Sequence, residues 1–255
     1  MSGHNKWSTI KHKKGAADAK RGKIFSKIAK EITIVVKSSG GDPATNPTLR
    51  TLLEKAKSVN MPNDNITRAI KKGTGELAPD VVEEFTYEGY AAGGVGLVIN
   101  VSTSNKNRAA AEIRSIFKKN GSEFATQGAV SRNFERKGTI LVPMADGLTE
   151  DGVMEIALNA GADDMEADEN GFTITTAPKE FYTVCQALTD ANIVFDQENS
   201  EVGLVPMMTA QVSDIAVAKS VNKFIEALEE NEDVQDVYNN MELDDSVAAQ
   251  LEAGE

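Results

Sequence analysis

The chain is 255 residues long, 40% hydrophobic and 26% charged, a composition that suits a folded protein with room for more than one domain. Its one cysteine, Cys185, excludes an internal disulfide, and its two histidines, His4 and His12, exclude a His-rich zinc site and argue against a Ser–His or Cys–His catalytic pair. The net charge of −12 conceals a segregation: residues 1–72 hold 16 Lys/Arg against 5 Asp/Glu, a net of +11, and the remainder holds 11 against 34, a net of −23.

No apolar run approaches the ~18 residues of a membrane span. Lysines also break up any signal-like apolar core at the N-terminus, so a cytoplasmic protein with no membrane partner is expected. Residues 1–16, MSGHNKWSTIKHKKGA, lack periodicity and read as a flexible basic lead-in. Within it Trp7 is placed either to stack on a partner or to dock back onto the protein.

From about Ala17 a helix is predicted, because Ile24, Ile28, Ile32 and Val35 recur at three- and four-residue spacing, with Phe25 and Val36 widening the stripe. Lys20, Lys23, Lys27, Lys30 and Lys37 fall on a separate arc of the same helix. Ser38 to Gly41 end it, and Asn46-Pro47 supplies an N-cap and first-turn proline for a second helix with Leu49, Leu52, Leu53 and Ala56 inward. Met61-Pro62-Asn63 opens a third, carrying Ile66, Ala69 and Ile70 and ending at Lys71-Lys72-Gly73. Residues 17–75 therefore form a three-helix basic unit.

From Val81 the pattern turns to strands, with Phe85, Tyr87 and Tyr90 alternating and an apolar strand at Val95–Val101. Helices are predicted over 105–120, 149–159, 178–188 and 213–228, and further strands at 139–142, 172–176, 202–205 and 236–239. This alternation predicts an α+β fold of the split βαβ kind. Residues 138–178 contain nine acidic residues and no Lys or Arg, which marks them as part of an insert. The expected domains are 76–137 with 206–240 as a middle α/β domain, 138–205 as an inserted acidic α/β domain, and 241–255 as an acidic tail.

The chemistry-bearing patterns are few. Gly93-Gly94-Val95-Gly96 lacks phosphate-loop spacing and leads into a strand, so it reads as a hairpin turn, and no GxxxxGK[ST] occurs. Placing Gly171 sixth in a calcium loop puts Ala177 at the twelfth position, where a bidentate Glu is required, so Asp164–Gly171 reads as a solvated acidic turn. Asp190, Asp196, Glu198 and Glu201 have no nucleophile or metal ligand beside them, and Cys185 sits in an apolar helical pattern as a small core residue. No catalytic residue, metal, cofactor or small-molecule substrate is expected.

The basic arm carries the functional signal. A solvated lysine face usually has Glu at four-residue spacing, but Ala17 to Lys37 has only Asp18 and Glu31. Membrane-surface binding is disfavoured because the apolar arc lacks large aromatics beyond Phe25 and is needed to close the three-helix unit. Phosphate contact is the remaining reading. The candidate nucleic-acid-binding residues are Lys6, Trp7, Lys11, His12, Lys13, Lys14, Lys20, Arg21, Lys23, Lys27, Lys30, Arg68, Lys71 and Lys72. Lysine outnumbers arginine, which favours tracking of the phosphate backbone over bidentate reading of guanine.

The segments GHNKW (Gly3–Trp7), IKHKKGAADAKRGKIFSKIAKEI (Ile10–Ile32), GGDPATNPTLR (Gly40–Arg50), NMPNDNITRAIKKGTGE (Asn60–Glu76), TYEGYAAGGVGL (Thr86–Leu97) and FERKG (Phe134–Gly138) resemble the YebC/PmpR family along the whole chain. The resemblance implies an N-terminal three-helix domain and two α/β domains, the last inserted into the middle one. It implies a DNA-binding transcriptional regulator. Alternatively, as for the mitochondrial translational activators related to the family, it implies a factor that binds ribosomal RNA and relieves stalling at proline-rich sequences. The chain departs from the family pattern at Thr48, at Arg132-Asn133 before FERKG, and at Ala91-Ala92-Gly93. The rival from another class, an enzyme working in an acidic cleft between domains, lacks histidines, a phosphate loop and metal spacing.

Overall fold

The computed structural model describes residues 21–77, 83–197 and 199–252, with side chains described from Ile24 to Leu251. Helices α1 (Arg21–Ser39), α2 (Pro47–Ser58) and α3 (Asn63–Thr74) form the N-terminal unit. Ile28, Ile32 and Val36 of α1 close over Leu49 and Ala56 of α2 and Ile66 and Ala69 of α3. Asn46 is buried because it serves both ends of the first turn. Its Oδ1 accepts from Leu49 N at 3.0 Å to cap α2, and its Nδ2 donates to Gly40 O at 2.8 Å behind α1. Gly75 ends α3 in the left-handed region at φ 82°.

Gly73 sets the spacing of α1 and α3. A Cβ there would lie 2.6 Å from Val36 Cβ and 2.8 Å from the Thr33 carbonyl oxygen. Thr33 Oγ1 also bridges the two helices by donating to Ala29 O and Ala69 O at 2.8 and 3.1 Å. Gly73→Ala is expected to force the helices apart at a cost of about 1–3 kcal/mol, seen as a lower melting temperature. An unchanged melt would show that the contact yields freely.

The middle domain is built on an antiparallel sheet of order β3-β1-β2-β9, from β1 (Glu83–Tyr90), β2 (Gly96–Thr103), β3 (Glu123–Phe124) and β9 (Val234–Asn239). The turn at Gly93-Gly94 is the predicted hairpin, with Tyr90 opposite Gly96. Two helices, α4 (Lys106–Lys119) and α7 (Ile215–Glu229), cover one face, burying Ile113, Phe117, Phe224 and Leu228 against Leu97 and Ile99. Asn105, Thr149 and Asp214 each cap a helix through a side-chain oxygen, as the residue types require.

The third domain runs β4 (Phe134–Pro143), α5 (Glu150–Asn159), β5 (Ala162–Asp168), β6 (Gly171–Thr176), α6 (Phe181–Asp190) and β7 (Glu201–Pro206). Its sheet order is β5-β6-β4-β7 with antiparallel neighbours. This is a split βαβ arrangement, and the fold is α+β: three N-terminal helices, then two sheet domains, one between strands of the other.

Three local features go beyond the sequence reading and have physical causes. The acidic turn is the end of a strand: β5 is an edge strand whose Asp163 and Asp164 are exposed while Met165 is buried, and charge on an edge resists pairing with other chains. Asp168 Oδ1 then accepts from Asn170 N and Gly171 N at 2.7 and 3.1 Å to make the turn. Arg132 and Asn133, where the chain departs from the family pattern, lie in a short 3-10 turn, and β4 starts after them at buried Phe134. Residues 241–252 are acidic in charge yet folded. Strand β10 (Met241–Leu243) pairs in parallel with β8 (Ala210–Val212), and α8 (Asp245–Glu252) buries Val247 and Leu251 in the middle core.

Candidate nucleic-acid interface

The lysine arc of α1 is divided by what it faces. Lys30 Nζ donates to Glu232 O at 2.8 Å and Ser102 O at 3.2 Å, and lies 3.6 Å from Asp233 Oδ1. Lys27 Nζ reaches Gln235 O at 3.4 Å. The inner part of the arc therefore clamps the three-helix unit to the start of β9. Asp233 is 3% exposed and is shared with Arg108, whose Nη2 donates to Oδ2 at 2.8 Å. Asp233 and Glu112 beside it raise the Arg108 guanidinium further above its ordinary value.

The outer part lies on a groove of about 840 Å³ between α1 and α3. On α3, Asn65, Arg68, Ala69 and Lys72 line it at three- and four-residue spacing, so one face of the helix forms one wall. The floor is apolar, with Phe25, Ala29 and Met61, and Lys30 and Lys37 stand on the α1 side. Glu84 of β1 is the one carboxylate of the lining. Lys37 and Arg68 are exposed, and their side chains have no hydrogen bond or ion pair among the described residues; the same holds for exposed Lys71 just outside the groove.

Of the predicted contact residues, Lys30, Arg68 and Lys72 meet at this groove, Lys71 adjoins it, and Lys27 turns to the middle domain. Arg21 and Lys23 lie on α1, but their side chains are outside the described part, and Lys6, Trp7, Lys11, His12, Lys13, Lys14 and Lys20 lie outside the described residues. Asn65, absent from the sequence-derived set, belongs to the groove wall. Its only signal in the sequence was a position four residues before Ala69 and three before Arg68.

A second cavity, of about 750 Å³, lies where the three domains meet. Glu31 of α1 faces it beside Lys55, Asp236 and Glu201, and burial pushes its carboxyl above the ordinary glutamate value despite Lys55 and Lys27. A raised folded-state value means that the native protein holds the proton more tightly than the unfolded chain, so stability falls as pH rises through that interval. Glu31→Gln is expected to melt higher than the parent at pH 7, with the gap closing as pH falls below ~4, where both states are protonated. Equal melting temperatures at pH 7 would contradict a buried ionised Glu31.

Burial also pushes the Cys185 thiol up to about 12, which leaves it protonated and inert at neutral pH. Among the described residues no group of three His, Cys, Asp or Glu is placed to hold a metal, and no helix is long and apolar enough to cross a membrane.

The sheet faces are joined by a residue that the sequence does not advertise. Glu88, 4% exposed on β1, accepts from Gly128 N and Val130 N at 2.7 Å, Ser131 N at 3.0 Å and Ser131 Oγ at 2.9 Å. Burial alone would raise its carboxyl; the donors more than offset this and hold it below the ordinary glutamate value. Val130, fixed in this way, packs on Val98 and Phe134 where the chain leaves the middle domain for the third.

Residues 5–76 match the TACO1/YebC protein N-terminal domain, and residues 82–241 match the TACO1/YebC second and third domain. A protein of Rubrobacter xylanophilus is 49% identical over 98% of this chain and 99% of its own length, and one of Desulfotalea psychrophila is 48% identical over the same shares. Both are named probable transcriptional regulatory protein. The crystal structure of a conserved hypothetical protein from Aquifex aeolicus superposes with a TM-score of 0.78 at 42% identity, covering 89% of this chain and 93% of that one. The chain belongs to the TACO1/YebC family.

Proposed function

We propose that this chain is a non-enzymatic regulatory protein that binds nucleic acid through its N-terminal helical domain, as a transcriptional regulator of the kind its relatives are named for. The observation that carries the reading is the local surplus of charge. A net +11 over residues 1–72 sits on a chain of net −12, and exposed Lys37, Arg68 and Lys71 have no partner among the described residues. Unpaired cations on a folded edge release condensed counterions from a phosphate backbone, which drives binding with little dependence on sequence. The clamp at Lys30 and Asp233 holds that edge at a fixed attitude to the acidic domains, whose own charge repels phosphates and confines contact to one side.

In this reading the lead-in lysines add their charge to the +11 of residues 1–72 that meets the phosphates. Crosslinking in cells followed by sequencing tests the target. DNA is the expected recovery, and its concentration at discrete promoters would support transcriptional regulation. Recovery of mainly ribosomal RNA would replace transcription by action on the ribosome.

A further inference from the structure

We infer that the groove between α1 and α3 is a binding site for a single-stranded nucleic-acid segment, with unstacked bases on its floor and phosphates on its rim. This rests on the proposed nucleic-acid binding by the same domain and specifies what is bound. The rim alone would suit any polyanion, but the floor would not. A duplex turns its phosphates outward and hides the faces of its bases, so Phe25, Ala29 and Met61 would gain nothing from it. A single strand or loop offers base faces to an apolar floor and its backbone to cations in one motion.

Two further features of the wall fit. The Asn65 carboxamide is half-buried, lines the groove and has no side-chain partner among the described residues. It can both donate to and accept from the edge of an extruded base. Arg68, one turn along, presents a planar guanidinium that can pair with a phosphate or stack on a base. Glu84 at the rim disfavours phosphate beside it, which biases the path of the strand toward Lys37, Arg68 and Lys72. Lys6, Lys11, Lys13, Lys14 and Lys20 repeat the sign of the rim, so charge complementarity favours a polyanion over a basic segment as occupant.

The test uses the full chain and fluorescence anisotropy with four labelled probes at one salt concentration: a short single-stranded RNA, the same sequence as single-stranded DNA, the DNA duplex, and a poly-glutamate peptide of equal charge. Single strands are expected to bind about tenfold more tightly than the duplex or the peptide. RNA ahead of DNA would identify an RNA loop as the source of the ligand, and the reverse would identify melted DNA. Asn65→Ala, which removes a side chain without partners, should weaken single-strand binding several-fold and leave duplex binding unchanged, with an unaltered thermal melt. Equal binding of single strand and duplex, with Asn65→Ala neutral, overturns the groove assignment while leaving nucleic-acid binding intact. Peptide binding as tight as single-strand binding overturns it in favour of an acidic protein partner. Failure of every nucleic acid to bind overturns the proposed function and this inference together.

Discussion

Glu88→Gln is expected to destabilise the folded chain by about 1–3 kcal/mol although it changes almost no volume. The carboxylate is buried and accepts from three backbone N–H groups and one hydroxyl. An amide keeps one acceptor oxygen: placed where Oε2 stands, it still serves Val130 N and Ser131 N, but its NH₂ then faces Gly128 N, which loses its partner, and the Ser131 hydroxyl must turn to accept. The pH dependence follows from the sign of the shift. Because the folded-state value is depressed, the contribution of Glu88 is fully present above ~4.3, the ordinary glutamate value, and is lost as pH falls through the lower folded value. The parent should therefore show a steeper acid limb than the variant. Trypsin gives a second readout: exposed Arg132 stands on the turn that Glu88 organises, and cleavage after it should accelerate in the variant. Coincident melts and unchanged proteolysis would show that the turn is held by packing of Val130 alone.

Glu88 also shows where the sequence stops being legible. Alternation on β1 places Phe85 and Tyr87 on one face and Thr86, Glu88 and Tyr90 on the other, and charge on the second face reads as solvent exposure. At Glu88 that face is covered by the turn into the third domain, while Thr86 and Tyr90 on it stay exposed, and a pattern of period two cannot distinguish water from a second protein surface. The same limit hid the clamp on α1. The lysine arc is visible at helical spacing, but nothing in it says that Lys30 would find Asp233, about two hundred residues away, while Lys37 would not. By contrast, the cap at Asn46 was legible because it depends on a contact within three residues, Leu49 N to Asn46 Oδ1. β5 was missed because Asp and Glu are poor strand formers, and their place on an edge is a property of the sheet, not of the segment.

Reversal of two charges, Arg68→Glu with Lys71→Glu, is expected to weaken nucleic-acid binding by about 10²-fold or more near physiological salt and to flatten its salt dependence. Each lost phosphate contact removes ~0.7–0.9 from the slope of log affinity against log salt, so two contacts remove roughly 1.5, and the new carboxylates add repulsion. Both side chains are exposed and without partners among the described residues, so the fold has no reason to respond. Net charge alone would also weaken binding to a polyanion, so the comparison must change the same charge elsewhere. Lys118 and Lys119 are exposed at the end of α4 in the middle domain, and Lys118→Glu with Lys119→Glu shifts the total by the same amount without touching the α1–α3 edge. At moderate salt the Debye length is ~8–10 Å, so charges remote from the contact are screened and only those at the edge retain their full effect. The first pair should lose binding and the second should retain nearly all of it. Equal losses in the two double variants would mean that the protein responds to its overall field, and that the basic edge of the three-helix unit is not where the phosphates lie.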